Sequence, residues 1–195
     1  MGFLRNILAL LGLAAIGVAV WVGPTIWKYK VAFDGFDEQS LDMYKDLGER
    51  VIAHGNAVGA TVWSAKVADG LTFEEVDESI KNIAIERNIR GVGELPLGDQ
   101  VAAMNGTPWR KLNIYLYCNP LTAAKMVEYD IAYAAYLPCR ISLVEDENGD
   151  LWIYTLDMDL MIYGGETLPP ELLEEALEVK DIMQDIMERA AEGDF

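Results

Sequence analysis

Residues 139–157 read CRISLVEDENGDLWIYTLD. Two apolar runs, 139–145 and 151–157, are rich in β-branched and aromatic side chains and flank the turn Asp146-Glu147-Asn148-Gly149-Asp150. Asn-Gly between two such runs is the strongest short-range signal for a β-hairpin. A hairpin makes its strands antiparallel neighbours, so this stretch sets the character of the whole sheet. Working outward, residues 110–118 (RKLNIYLYC) and 89–95 also have strand composition, and Ala57 to Val67 alternates loosely around Val58, Val62, Trp63 and Val67. Between them, Thr72-Phe73-Glu74-Glu75 is a capping box that opens a helix running to about Asn88, with Phe73, Val76, Ile80, Ile83 and Ala84 on one face. A short helix is expected after Pro120, through Ala123, Ala124, Met126 and Val127. Pro169-Pro170 starts a long helix to about Ala190, whose apolar stripe is Leu172, Leu173, Ala176, Leu177, Met183, Ile186, Met187 and Ala190. Strands in adjacent hairpins interrupted by helices give an α+β class: a mainly antiparallel sheet with helices on one face and a long C-terminal helix.

The other end of the chain is different in kind. Ile7 to Trp27, ILALLGLAAIGVAVWVGPTIW, contains no charged residue. As a helix it spans about 32 Å, close to the roughly 30 Å of a bilayer's hydrocarbon core. Trp21 and Trp27 fall where an interfacial aromatic belt sits, Lys28 and Lys30 stop the run, and Pro24 is placed to kink its last turn. Gly12, Ala15, Gly17 and Ala19 supply small residues suited to close helix packing. The expectation is a single uncleaved transmembrane anchor over residues 1–30. The rival, a cleaved signal peptide, needs an apolar region of about 7–15 residues and a small-x-small site, and this run is longer and ends in bulky side chains. A core helix buried in a soluble domain is a third reading. Arg5 on one flank nearly balances Lys28 and Lys30 on the other, so orientation rests on the short N-terminal flank and the long following domain. These favour the inner (cytoplasmic) membrane with the C-terminal part on the extracytoplasmic, periplasmic side. Residues 31–56 then form a linker and a helix, with Ser40 to His54 carrying Leu41, Tyr44, Leu47, Val51 and Ile52 at helical spacing, and residues 57–195 form the α+β domain.

Charge follows the same division. Of 15 basic and 32 acidic side chains, three bases and no acid lie in the first 30 residues. The remaining chain is therefore more acidic than the overall −17 indicates. Nucleic-acid binding needs clustered Lys and Arg, which are absent. Two cysteines and one histidine exclude a disulfide-dense scaffold and a four-ligand Cys/His zinc finger, and no Cys-x-x-Cys-His is present for haem attachment.

The ordered series YCNPLTAAKM (117–126) and LPCRISLVEDENGDLWIYTLDMDLM (137–161) resembles the bacterial and archaeal family catalogued as domain of unknown function 302. The residues that carry it are Cys118-Asn119-Pro120 at a strand end and Leu137-Pro138-Cys139-Arg140 opening the next strand, with the helix from Thr72 and the following GVGELPL in support. It covers roughly residues 57–190. The resemblance implies a TATA-binding-protein-like domain, a curved antiparallel sheet gripping helices and often dimeric, so a homodimer is among the partners it allows. It brings no activity and no catalytic residues.

Chemistry is sparsely written. Cys118 and Cys139 are open to four readings: two buried thiols that never meet, a structural disulfide, a redox or sulfur-carrying pair, or metal ligands. Arg140 is placed either to favour a Cys139 thiolate or to pair with Glu145 or Asp157. His54, at a helix end, reads as structural or solvent-facing. Met158, Met161, Met183 and Met187 raise copper, but alternation of Met158, Leu160 and Ile162 against Asp157, Asp159 and Met161 reads as packing. Asp157 and Asp159 show no sign of acid–base tuning, and Gly91-Val92-Gly93 lacks the rest of a dinucleotide loop. No metal, cofactor or catalytic set is expected. The leading expectation is a membrane-anchored accessory or interaction subunit with an acidic domain, whose partners are the lipid bilayer at residues 7–27, a membrane protein, or a cationic protein at the acidic face. The alternatives are a cysteine-based redox or sulfur-handling protein and a small-ligand binder using Trp63, Tyr115, Tyr117 and Trp152.

Overall fold

The computed structural model describes residues 2–194. Its elements are α1 (Gly2–Phe33), α2 (Ser40–His54), the single turn α3 (Ala57–Ala60), β1 (Val62–Lys66), α4 (Phe73–Glu86), β2 (Arg90–Leu95), α5 (Leu97–Asn105), β3 (Leu112–Cys118), α6 (Pro120–Tyr129), a 3-10 turn at Ile131–Ala135, β4 (Cys139–Glu145), β5 (Leu151–Leu156), α7 (Asp159–Tyr163) and α8 (Pro170–Glu192). The five strands form one antiparallel sheet in the order β1-β5-β4-β3-β2. The α+β class and the long terminal helices expected from the sequence are present.

The hairpin at β4–β5 forms around a different device from the bare Asn-Gly pair. Only Gly149 takes a positive φ, of 85°. The Asp146 carboxylate organises the rest, accepting from the backbone N–H groups of Asn148 (2.8 Å) and Asp150 (3.0 Å) and from Trp152 Nε1 (3.2 Å). An aspartate that bonds the backbone two residues on is a turn former in its own right. The loop therefore turns on Asp146 and Gly149 together.

One sheet face carries the core. Ile141, Leu143 and Ile153 are fully buried against Val76, Ile80 and Ile83 of α4 and Met183 and Ile186 of α8. Period-2 burial along the strands meets period-3.6 burial along the helices, as a helix-on-sheet layer requires. The α4 capping box is complete: Thr72 Oγ1 accepts from Glu75 N at 3.3 Å, and Glu75 Oε2 accepts from Thr72 N at 2.7 Å. Across the α4–α8 contact, Arg87 pairs with Asp181 (2.6 Å) and Asp185 (2.7 Å), and Arg189 with Glu86 (2.8 Å). Part of the acidic face of α8 is thus neutralised within the domain.

Three local expectations are corrected, and one unforeseen helix appears. The strand expected from Ala57 begins at Val62, because Asn56 caps a helical turn by accepting from Gly59 N at 3.0 Å. The alternation expected over 157–161 is replaced by α7. Its start is fixed by Asp157 Oδ1, which accepts from Asp159 N at 2.9 Å, and Ile162 N bonds Met158 O at 3.0 Å. A helix, α5, occupies 97–105, where Gly98 lets it approach β3 so closely that a Cβ would lie 2.6 Å from Arg110 O. Finally, α1 runs through Pro24 to Phe33, so Pro24 is not in its last turn and the linker is shorter than expected.

That short linker is tightly held. Asp37 is buried, its N–H donates to Gly165 O (2.8 Å), and its carboxylate accepts from Gln39 N (3.0 Å) and Thr167 Oγ1 (2.8 Å). Phe33 at the end of α1 packs edge-on to Tyr44 of α2 at 5.9 Å, and the Tyr44 hydroxyl donates to Gly164 O. Further along α2, Arg50 Nη2 donates to Asp157 Oδ2 at 2.5 Å. The apolar helix therefore joins the domain through a set of specific contacts.

Candidate functional site

At one end of the sheet, β3 ends and β4 begins side by side, with Tyr117 opposite Cys139 in the ladder. Cys118 and Cys139 both line one mainly apolar cavity of about 50 Å3. Asn119 stops the strand and caps α6, its Oδ1 accepting from Leu121 N (3.2 Å) and Thr122 N (3.4 Å). Pro120 takes the first helical position, where its missing N–H costs nothing. Leu137 precedes a cis peptide to Pro138, and it too lines the cavity. Family-like residues Cys118, Asn119, Leu137 and Cys139 thus share one cavity. Arg140 does not: it is exposed, and neither of the partners expected for it holds it. Asp157 is taken by Arg50, while Glu145 accepts from the Lys111 backbone N–H at 3.1 Å.

The rest of the wall comes from residues that sequence reasoning does not associate with the cysteines. Met126 descends from α6, Met158 and Met161 from the α7 segment, and Tyr133 and Tyr136 from the 3-10 turn and its end. The Tyr133 hydroxyl donates to Met161 O at 2.8 Å and so ties that turn to α7. Thr122 Oγ1 donates to Glu175 Oε2 at 3.0 Å, and Lys125 pairs with the same carboxylate, which ties α6 to α8. Nothing in the chain order announces Met126 beside Met158 and Met161. The i, i+3 spacing of the latter two is the one usable sign, and it points to a helix.

Both cysteines are free thiols, half-buried. Burial raises the Cys118 pKa above its ordinary range. It raises that of Cys139 to about 11, with nearby Cys118 adding to the effect and Arg140 opposing it weakly. Removing a thiolate from water costs more than one adjacent exposed guanidinium returns. These are neutral thiols at physiological pH, not activated nucleophiles.

The remaining candidates disperse. Tyr115 and Tyr117 are core side chains, and the Tyr115 hydroxyl donates to Asp77 at 2.5 Å. Trp63 and Trp152 instead border a groove of about 650 Å3 beside β1. These four aromatics line no common cavity among those described. His54 is exposed at the end of α2, with its ring over Gly59. Asp157 and Asp159 answer to Arg50 and Lys180. Met183 and Met187 are core residues. In α1, Ile7, Trp21 and Trp27 are exposed, and a Cβ added at Gly12 would meet no described atom within 4 Å.

A two-layer α+β domain with a five-stranded antiparallel sheet, carrying a sulfur-lined cavity where β3 and β4 meet, is the class these features define. The chain belongs to the family described as domain of unknown function DUF302, whose model matches residues 63–190. The crystal structure of an uncharacterized conserved DUF302 protein from Bacillus stearothermophilus is similar in fold, with a TM-score of 0.53 at 16% identity. The match covers 67% of this chain and 98% of that one. No curated protein matches the chain. Helices α1 and α2 precede the segment that the family model matches.

Proposed function

We propose that this protein is a single-pass membrane protein, anchored by α1, which holds its acidic α+β domain at the outer surface of the inner membrane as an accessory subunit of a membrane assembly. The observation that carries this reading is the environment of α1. Gly2–Val31 is long and apolar enough to cross a membrane, and none of its most apolar stretch is buried. Leu8, Leu10, Leu11, Leu13, Ile16, Val18, Val20 and Trp21 are each at least 60% exposed. At about 1.5–3 kcal/mol per apolar side chain, leaving these eight in water forfeits about 12–24 kcal/mol. A folded domain has only about 5–15 kcal/mol of net stability. A helix apolar on all sides needs a bilayer or other helices around it.

Two further features support the accessory role. The contacts of Asp37, Tyr44 and Arg50 hold the domain to the end of the helix rather than on a long tether. Many of the domain's titratable groups are committed to ion pairs and caps, and the described residues include no nucleophile–base pair. The external placement rests on the long domain after the helix, because long domains translocate largely regardless of flanking charge.

The test is purification of the full chain from membranes in a mild detergent, with chemical crosslinking before extraction. A stoichiometric membrane protein, crosslinked to α1 and lost when Gly12 and Gly17 are replaced by leucine, is the expected result. Recovery of the chain alone, with no crosslinked partner in the membrane, overturns the accessory role.

A further inference from the structure

We propose that the cavity between Cys118 and Cys139 is a soft-metal site that takes one cuprous ion. Such a site stands independently of the membrane reading above. Five residues of the cavity wall carry sulfur: Cys118 from the end of β3, Cys139 from the start of β4, Met126 from α6, and Met158 and Met161 from the α7 segment. They come from four separate elements that converge only in the folded chain.

The size and the donors both narrow the occupant. A space of about 50 Å3 is far below the several hundred Å3 typical of organic ligand sites, but is ample for one ion. No carboxylate or imidazole lines it, so it lacks the oxygen ligands that calcium and magnesium require. The polar atoms of the wall are largely engaged elsewhere: Asn119 Oδ1 caps α6, Thr122 Oγ1 donates to Glu175, and the Tyr133 hydroxyl donates to Met161 O. The donors of the wall without such engagement are the five sulfurs and the Tyr136 hydroxyl, so sulfur dominates. Thiolate ligands suit Cu(I) and zinc, and the added thioethers favour the softer Cu(I). Zinc prefers four nitrogen or sulfur ligands, with thiolates and imidazoles providing them, and only two thiols are present.

Binding is a proton-for-metal exchange with no electron transfer. Each thiol releases its proton to solvent, two sulfur–copper bonds form, copper remains Cu(I), and a methionine sulfur adds as a neutral third donor. The two-thiolate complex carries one negative charge, with the cationic Arg140 next to Cys139 along β4.

The experiment is an anaerobic titration of the full chain, in detergent and with its thiols reduced, using Cu(I) against a coloured Cu(I) chelator. One Cu(I) per chain withheld from the chelator is expected, with near-ultraviolet thiolate-to-copper absorption and protection of both cysteines from alkylation. Cys118→Ser with Cys139→Ser is expected to weaken binding more than about 100-fold, beyond the effect of losing an outer-shell group. Met126→Leu with Met158→Leu and Met161→Leu, a near volume-conserving set, is expected to weaken it about 10-fold with the urea midpoint retained. Copper protection is read on the native chain, so the result stands even if the serine variant does not fold. Complete loss of copper to the chelator, alkylation unaffected by copper, tighter binding of Zn(II) than of Cu(I), or isolation of the native chain with Cys118 and Cys139 already joined in a disulfide would each overturn the proposal.

Discussion

Replacing Asp157 by alanine tests how the domain is joined to the helical segment that precedes it. The Asp157 side chain is 1% exposed and that of Arg50 25%. Its carboxylate accepts from Arg50 Nη2 at 2.5 Å and from Asp159 N at 2.9 Å. Arg50 Nε lies 3.0 Å from Asp46 Oδ2, an ion pair outside hydrogen-bond geometry, and that carboxylate is 64% exposed. Removing one member of a buried pair costs about 3–5 kcal/mol because the other charge is stranded. Partial exposure of Arg50 and its second acid lower this to about 2–4 kcal/mol. For a domain of this size, 1 kcal/mol is worth about 2–4 °C, so the melting point should fall by about 4–16 °C. The assay is urea and thermal unfolding of the full chain in detergent micelles, followed by tryptophan fluorescence, alongside Arg50→Met and the double variant. The double variant should recover at least about 1 kcal/mol relative to the sum of the two single changes. A loss below about 1 kcal/mol for Asp157→Ala, or strictly additive singles, would refute the claim that this pair joins α2 to the domain.

Ile141→Ala, at the centre of the sheet and fully buried, should cost about 2–5 kcal/mol in urea unfolding. Thr72→Ala removes the cap of α4 and should cost about 1 kcal/mol, readable as faster hydrogen exchange in the first turn of that helix. Burial holds the Cys139 pKa near 11 against an ordinary 9.0. Its alkylation rate in the metal-free native chain should therefore keep rising about tenfold per pH unit past pH 9. The sign for stability follows: between pH 9 and 11 the unfolded chain has lost this proton and the folded chain keeps it, so stability falls as pH rises through that window. Cys139→Ser should flatten that part of the pH profile.

The central hairpin and the starts of two helices are legible in the sequence because their signals are local. Asn148-Gly149, the Thr72–Glu75 box and Pro169-Pro170 each act within a few residues of themselves. What escapes depends on contacts distant in sequence. The alternation over 157–161 imitates a strand, and only the Asp157 cap and the Arg50 partner 107 residues away make it a helical turn. Asp37 looks like an ordinary linker acid, yet it is buried against Gly165 and Thr167. The cysteines are legible as neighbours of a strand end. Their methionine surroundings are not, because Met126 reaches the cavity from a helix face that reads as core. Arg140 misleads for the opposite reason: adjacency in sequence to Cys139 does not overcome desolvation.

The most direct test of the anchor is the intact mass of the protein that stays in membranes after an alkaline carbonate wash. The chain is expected in the pellet with residues 7–27 still attached. Recovery in the supernatant, or a mass lacking that segment, would contradict the anchor.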